Sequence, residues 1–217
     1  MRTANRPLGL LGGTFDPVHN AHLRLAIEAI EALSLSGLRW IPSGRPGHRG
    51  TPGASTDDRL AMLRIATSGD ARFTIDEADA RAAEPTYTIN TLARLRRELG
   101  AALPLVLVVG ADHLLGLHTW REWRRLFDHA HVAVARRPGH DIARDALHPE
   151  VGAEYDRRLA SPAALAAAPA GALTVFRMPP LDISASAIRD ALASGRSARY
   201  LLPDPVLDYI EEKRLYP

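Results

Sequence analysis

The sequence predicts an α/β protein with a doubly wound, mostly parallel sheet and helices on both faces. Two observations predict this fold class. Short apolar runs without alternation, typical of parallel strands buried on both faces, recur at residues 8–11, 38–41, 72–75, 105–109, 131–135 and 173–176. Helical patterns follow the first four runs, at residues 22–35, 56–68, 90–99 and 122–127. In such a sheet, ligands bind along the edge where the strands end.

The last third of the chain continues the pattern with a different composition. Residues 149–159 predict a polar helix, and the Ala/Pro/Gly-rich residues 161–171 predict a surface loop before the last strand. In ISASAIRDALASG, Ser184 or Ser186 can cap a helix that Gly195 closes. A final helix is expected to start at Asp204 as its cap, with Pro205 at the first helical position.

The composition indicates a single globular domain. The chain has 217 residues, is 46% hydrophobic and contains no cysteine, which suits one α/β core. Because no apolar run approaches the roughly 18 residues of a spanning helix and no leader is evident, we expect a cytoplasmic protein without a membrane partner. Formal charge is +2, and Lys213 is the only lysine, so arginine supplies nearly all positive charge. Arginine suits bidentate contacts to phosphate, although a biased genome composition gives the same count.

The stretch GGTFDPVHNAH, residues 12–22, follows the first buried strand and has the composition of a phosphate cradle. The glycines allow close backbone approach, so the amides of Gly13, Thr14 and Phe15 can face an anion. His19 and His22 fall on one face of the first helical turn, where the helix dipole favours negative charge. A histidine pair at this spacing also fits a metal site or a purely structural role, but no third metal ligand lies nearby in the sequence.

A second anion site is predicted where another strand meets another helix. Ser184 and Ser186 place hydroxyls at the helix start, and Arg189 lies one turn further on. The alternative is an ordinary serine cap with a solvated arginine. The arginines elsewhere are dispersed, with no dense basic stripe beyond Arg94, Arg96 and Arg97, so nucleic acid is not an expected partner.

The pairing of GGTFDPVHNAH with ISASAIR resembles the nucleotidyltransferase superfamily, with its histidine-x-glycine-histidine and I-S-x-x-x-I-R signatures. Within it, the chain is most similar to the bacterial nicotinate-nucleotide adenylyltransferase family. That similarity extends, in order, over IPSGRPGHR, EPTYTINTL, VVGADHLLGLHTWREW, VARRPG and LLPDPVLDYIEEKRLY. The resemblance implies a Rossmann-like nucleotidyltransferase domain over residues 1–217, with a small helical part at about 184–217.

The resemblance also implies a reaction and a set of ATP-binding residues. The family transfers the adenylyl group of ATP to nicotinate mononucleotide, giving the deamido dinucleotide and pyrophosphate without a covalent enzyme intermediate. Magnesium is implied as a cofactor held mainly by the ATP phosphates, with no protein ligand named. His19, His22 and Arg189 are the implied catalytic residues. The remaining implied ATP-binding residues are Gly13, Thr14, Phe15, Gly110, Asp112, Arg137, Ser184 and Ser186.

For the second substrate, the resemblance implies that Trp120 stacks on the pyridine ring. The backbone amides of Ile89 and Arg121 would face the pyridine carboxylate, and Tyr87 and Thr88 would frame the pocket. From the residues alone, Trp120 fits either stacking or burial in the core, and Asp112 fits either ribose binding or a helix cap. His48 and Arg49 correspond to the family's pair at the mononucleotide phosphate, within a turn-rich segment that otherwise reads as a polar loop.

Two departures from the family pattern and three alternatives accompany this interpretation. Ala21 replaces the glycine of the histidine signature, which affects adenine fit, and Gly47 replaces a proline before His48. The phosphopantetheine adenylyltransferases share both phosphate signatures but lack the TYT and HTW segments. A preference for the amide over the acid mononucleotide is the second alternative, and a nucleotide-binding module without catalysis is the third.

Overall fold

The strands form a six-stranded parallel sheet in the order β3-β2-β1-β4-β5-β6, the order of the Rossmann fold. The computed structural model describes residues 6–44, 52–136 and 142–217. The strands are β1 (Leu8–Gly13), β2 (Gly37–Pro42), β3 (Phe73–Ile75), β4 (Leu105–Gly110), β5 (His131–Arg136) and β6 (Leu173–Arg177). All six were predicted from their apolar runs, and the doubly wound fold class is confirmed.

Helices alternate with the strands along the chain. They are α1 (Asn20–Ala32), α2 (Thr56–Thr67), α3 (Thr88–Leu99), α4 (Ala111–Leu115), α5 (Leu126–His129), α6 (Pro149–Arg158), α7 (Ala185–Ala193) and α8 (Asp204–Lys213). The described part of the chain also contains four 3-10 helices, at Leu117–Thr119, Trp123–Arg125, Arg144–Ala146 and Pro162–Ala167. In the described residues, no helix is long and apolar enough to cross a membrane.

Three local predictions need correction. The continuous helix expected over 122–127 is instead a 3-10 turn followed by α5, because Glu122 is left-handed with φ 51° and cannot begin a helix. The expected loop over 161–171 contains the 3-10 helix Pro162–Ala167, whose Leu165 is fully buried. The cap of α8 is Pro203, and Asp204 lies inside the first turn. There its negative charge interacts favourably with the positive end of the helix dipole.

The described chain divides into two compact units. The first unit comprises the described parts of Met1–Gly12, Ile27–Arg39 and Tyr87–Pro180, and the second comprises those of Gly13–Ala26, Trp40–Thr86 and Leu181–Pro217. In the first unit, Leu8–Leu11 of β1 pair with Leu105–Val108 of β4, and β5 and β6 continue in parallel. The core of this unit is built from the apolar residues of these strands, which are almost completely buried.

The second unit contains the loop after β1, α2, β3 and the two carboxyl-terminal helices. Its largest buried side chains are aromatic and cationic: Phe15, Trp40 and Arg59 are each at most 2% exposed. The Trp40 ring packs edge-on against Phe15 at 5.3 Å and Phe73 at 5.6 Å between ring centroids. The prediction of one domain with a helical part at about 184–217 stays a prediction.

Candidate active site

The loop after β1 is shaped by a phenylalanine in an unusual conformation. Phe15 has φ 51°, in the left-handed region that glycine normally occupies, yet its ring is 2% exposed. A Cβ atom on Gly13 would lie 2.8 Å from two ring carbons of Phe15, so only glycine fits there. The Phe15 ring also meets the His22 ring edge-on at 5.1 Å. Burial of this ring therefore holds the loop GGTF against the start of α1.

The two histidines at the start of α1 form one stacked pair. The carbonyl of His19 accepts the N–H groups of His22 (2.9 Å) and Leu23 (3.2 Å), so His19 lies at the cap and His22 in the first turn. The rings stack with centroids 3.7 Å apart and planes 20° apart. In addition, Nδ1 of His22 accepts the backbone N–H of His19 at 3.3 Å. A neutral His22 ring therefore carries its proton on Nε2, which is available as a donor.

Burial keeps both rings neutral in the absence of a ligand. His19 is 4% exposed, and burial lowers its pKa to about 4. Burial also lowers the pKa of His22 well below the ordinary value of 6.5, and the neighbouring His19 lowers it further. Nδ1 of His19 has no hydrogen-bond partner among the described residues. A pair of neutral, partly unpaired imidazoles is well suited to donate to an incoming anion.

Helix α7 joins this arrangement through Arg189. Ser184, not Ser186, is the cap of α7: its Oγ accepts the N–H of Ala187 at 3.2 Å and lies 3.1 Å from Oγ of Ser186. Gly195 follows the helix with φ 68°, as predicted. Nη1 of Arg189 donates to the backbone carbonyl of Asp16 at 2.7 Å. The structure thus brings the two anion-binding segments predicted from the sequence into direct contact.

These residues form what we call the phosphate cluster, and all belong to the second unit. Its members are Gly13, Thr14, Phe15, His19, His22, Ser184, Ser186 and Arg189. Among the described residues, no group of three histidine, cysteine or acidic side chains is placed to hold a metal ion. The carboxylate of Asp16, in the same loop, is 5% exposed and already accepts hydrogen bonds through both of its oxygens. The donor set consequently suits phosphate better than a cation.

A separate group of residues, all in the first unit, contains the residues predicted for ribose and for the pyridine ring. Asp112 lies in the first turn of α4, after Gly110, and is not its cap. A Cβ atom on Gly110 would lie 2.5 Å from Oδ1 of Asp112, so glycine is needed for this carboxylate to lie over the end of β4. Asp112 is exposed, which leaves its carboxylate accessible to hydroxyl groups.

The aromatic part of this unit, which we call the ring cluster, consists of Tyr87, His113, Trp120 and Arg121. The guanidinium carbon of Arg121 lies 4.8 Å from the centroid of the Tyr87 ring. The Trp120 and His113 rings meet edge-on at 5.6 Å. Trp120 is partly exposed, whereas Trp40 is 0% and Trp123 6% exposed. Trp120 is therefore the most accessible of the three tryptophans, and its stacking on the pyridine ring stays a prediction.

The start of α3 lies beside Tyr87, which is its cap residue. Thr88 and Ile89 are the first two residues of the helix, and Ile89 is 4% exposed. Amides in a first helical turn have no acceptor within the helix, so they are available to a carboxylate. The predicted residues His48, Arg49 and Arg137 lie outside the described residues.

Comparison with known proteins places the chain in a family. The cytidylyltransferase-like family model matches residues 10–191. A probable nicotinate-nucleotide adenylyltransferase of Dechloromonas aromatica (strain RCB) is 53% identical over 213 residues, which cover 98% of both chains. The chain belongs to the nicotinate-nucleotide adenylyltransferase family. A second member, from Pseudomonas putida (strain W619), is 45% identical over 214 residues, covering 98% of this chain and 96% of the relative.

Solved structures agree with this placement at the level of the fold. The Plasmodium falciparum nicotinic acid mononucleotide adenylyltransferase complexed with APC has a TM-score of 0.71 at 17% identity, covering 97% of both chains. The same enzyme complexed with NaAD has a TM-score of 0.70 at 18% identity. At such low identity the likeness shows that the adenylyltransferase family fold is shared, and the residues of this chain must be argued from its own geometry.

Three residues of the second unit support the phosphate cluster without having been predicted as site residues. Arg59 is 1% exposed and donates through Nη1 to the carbonyls of Thr14 and Ser43, both at 2.7 Å. Asp16 accepts the N–H of Gly53 at 2.7 Å and the hydroxyl of Tyr216 at 2.8 Å. No local sequence signal indicated these roles, because the partners of each residue lie far along the chain. In this adenylyltransferase, a buried cation and a buried anion therefore hold the loop after β1.

Proposed function

We propose that this chain transfers the adenylyl group of ATP to nicotinate mononucleotide, giving the deamido dinucleotide and pyrophosphate as a step of NAD biosynthesis. A phosphate oxygen of the mononucleotide attacks the α-phosphorus of ATP in line. The bond from the α-phosphorus to the bridging oxygen breaks, and pyrophosphate leaves with that electron pair. No covalent enzyme intermediate is required. The observation that carries the proposal is the phosphate cluster, in which two neutral histidines and Arg189 converge on one loop.

The phosphate cluster supplies stabilisation of developing charge. Nε2–H of His22 is a donor whose direction is set by the bond at Nδ1, so it is pre-organised for a phosphate oxygen. Arg189 donates through Nη1 to the carbonyl of Asp16, and its Nε and Nη2 groups donate no hydrogen bond within the described part of the chain. We assign these groups, with the hydroxyls of Ser184 and Ser186, to the β- and γ-phosphates of ATP. The amides of the loop from Gly13 to Phe15 complete the cradle.

Each histidine begins neutral and becomes more basic as the phosphates arrive. The buried rings bind without the cost of desolvating a charge, and the negative phosphates then raise their pKa. A proton taken up at that stage strengthens the contact to the transition state, where charge accumulates on the α-phosphate and on pyrophosphate. The stacked pair thus gains positive charge only when the phosphates are bound.

The first unit is assigned to the nucleoside parts of the substrates. We assign Asp112, with Gly110 beneath it, to the adenosine ribose, and the accessible face of Trp120 to the pyridine ring. The amides of Ile89 and Arg121 suit the pyridine carboxylate, since an amide group in its place would present N–H groups to N–H groups. His48, Arg49 and Arg137 stay predictions for the mononucleotide phosphate and for ATP.

Magnesium is the cofactor we propose, held mainly by the phosphates of ATP. The described residues fit this arrangement, because the phosphate cluster offers N–H and hydroxyl donors, and both oxygens of Asp16 are already occupied. Magnesium also gives up its water reluctantly, so it is commonly bound through substrate phosphates. When bound, it neutralises phosphate charge during transfer. The cytoplasmic location expected from the sequence stays a prediction.

The test is an acceptor comparison. The purified chain is incubated with ATP and Mg²⁺ and, separately, nicotinate mononucleotide, nicotinamide mononucleotide or phosphopantetheine, and both pyrophosphate and the dinucleotide are quantified. We expect the highest kcat/KM with nicotinate mononucleotide. Faster reaction with phosphopantetheine would reassign the chain to the phosphopantetheine adenylyltransferases. No reaction with any of the three acceptors would favour a nucleotide-binding module without catalysis. Arg189→Ala serves as the control for contaminating activity.

A further inference from the structure

Tyr216, which follows α8, is held in a strained and buried position. Its φ is 58°, in the left-handed region, and the residue is 7% exposed. The hydroxyl donates to Oδ1 of Asp16 at 2.8 Å. Burial and then the hydrogen bond to Asp16 raise the pKa of Tyr216 above its ordinary value, so the phenol is a donor at any working pH.

Asp16 connects this phenol to Arg189. Oδ1 of Asp16 also accepts the N–H of Ala54 at 3.0 Å, and Oδ2 accepts the N–H of Gly53 at 2.7 Å. The backbone carbonyl of Asp16 accepts a hydrogen bond from Nη1 of Arg189 at 2.7 Å, and the same nitrogen lies 3.7 Å from Oδ2. Three donors therefore orient the carboxylate, and the backbone carbonyl of that residue holds the arginine.

Packing couples the same residues a second time. A Cβ atom on Gly53 would lie 3.1 Å from the Cδ1 and Cε1 atoms of the Tyr216 ring. It would also lie 3.3 Å from Cδ of Arg189. A side chain at position 53 would thus crowd both the tyrosine ring and the arginine stem, so the three residues pack close together.

We infer that Tyr216 is a positioning residue that sets the geometry of Arg189 through Asp16 and Gly53. Tyr216 touches no substrate in this scheme. Loss of its hydroxyl removes one of the three donors that hold the Asp16 carboxylate, so Asp16 can shift together with the backbone carbonyl that holds the guanidinium. Since Arg189 is assigned to the phosphates of ATP, its misplacement is expected both to weaken ATP binding and to slow the chemical step. The inference rests on the proposed function only in assigning Arg189 to the ATP phosphates.

The experiment compares two tyrosines that undergo the same chemical change. Tyr216→Phe removes the donor to Asp16, and Tyr209→Phe removes a matched donor on α8 to Oδ1 of Asp58 at 2.9 Å. We expect Tyr216→Phe to lower kcat by about tenfold, as for loss of a hydrogen bond to a charged group, with the KM for nicotinate mononucleotide within about twofold of wild type. Tyr209→Phe should leave kcat unchanged. Equal kcat in the two variants would overturn the inference.

A double-mutant cycle separates positioning from general loosening. In an Arg189→Lys background, Tyr216→Phe should lower kcat by less than about twofold, because the group that Tyr216 positions is already altered. A full tenfold loss in that background would show that Tyr216 acts by another route and would overturn the inference.

A binding measurement keeps the inference distinct from the proposed function. If the wild type releases no pyrophosphate with any acceptor, the proposed function fails, and calorimetric titration with ATP still tests Tyr216. Tyr216→Phe should then weaken ATP binding by about tenfold relative to Tyr209→Phe, since Arg189 remains the phosphate ligand. Equal affinities in that titration would overturn the inference.

Discussion

The phosphate cluster and the ring cluster are built in opposite ways. In the phosphate cluster, polar groups are tied to the protein before any ligand binds: Arg189 to the carbonyl of Asp16, His22 to the amide of His19. In the ring cluster, Trp120 and Arg121 meet other residues through ring faces and edges, and both are at least partly exposed. One cluster is a network of directed bonds, and the other is a set of adaptable surfaces.

The difference matches the work proposed for each cluster. Stabilising charge on a reacting phosphorus requires donors fixed to within fractions of an ångström, and that precision needs buried supports such as Asp16 and Arg59. Stacking on a flat ring tolerates sliding and tilting, so Trp120 needs only an accessible face. Catalysis is therefore expected to be sensitive to small changes in the second unit, and substrate choice to larger changes in the first.

The largest expected effects come from removing the two donors of the phosphate cluster, Arg189 and His22. We expect Arg189→Ala to lower kcat by roughly 1,000-fold and His22→Ala by roughly 100-fold, because each donor acts on charge that develops in the transition state. Pyrophosphate release measures the loss, and Arg81→Ala is the control, since its exposed guanidinium is paired with Glu77. Unchanged turnover in either variant would contradict the assignment of the phosphate cluster.

An intermediate effect should appear in stability as a function of pH. The folded pKa of His19 is about 4, below the ordinary 6.5, so the unfolded chain binds more protons between these values. Stability is therefore lost as pH falls: His19 alone should lower the free energy of unfolding by about 2 kcal/mol from pH 7 to pH 5. Denaturant unfolding at both pH values measures this, and His19→Gln should flatten the dependence. An equally steep fall in His19→Gln would show that this histidine is not the buried neutral group described above.

The smallest effect is expected in the ring cluster. Trp120→Ala should raise the KM for nicotinate mononucleotide by about tenfold while the KM for ATP stays unchanged, because stacking is lost and the phosphate cluster is untouched. Trp120→Phe should recover most of the affinity. Steady-state kinetics with each substrate varied in turn provide the test. Equal losses for both substrates would mean that Trp120 supports the fold and does not bind a substrate.

Local patterns predicted most of the fold. The six strands could be read from apolar runs because a parallel strand buried on both faces has little freedom in its residues. Ser184 could be predicted as one of two possible caps, because the cap interaction is local. The 3-10 turn after Glu122 could not be predicted, since nothing in its neighbours requires a glutamate to be left-handed. The burial of Leu165 could not be predicted either, because the alanine- and proline-rich residues around it have the composition of a surface loop.

The sequence indicates candidate residues for the site but not the residues that support them. His19, His22 and Arg189 belong to recognisable motifs, whereas the partners that hold them are scattered. Asp16 bonds to residues 37 to 200 positions away in the sequence, so its role depends on tertiary contacts that no local pattern encodes. Asp16 of the GGTFDP motif is a buried carboxylate, and both of its oxygens accept hydrogen bonds.

The contact of Gly13 with the ring of Phe15 limits the order in which the sequence can change. A first substitution at position 13 places an atom 2.8 Å from that ring and is harmful by itself. Shrinking the ring first would leave a void beside Trp40 and His22 and remove the burial that holds a left-handed backbone in place. Neither single step is neutral, so the two positions are expected to change together or not at all. Among descendants of this chain, the neighbouring positions should therefore change earlier than positions 13 and 15.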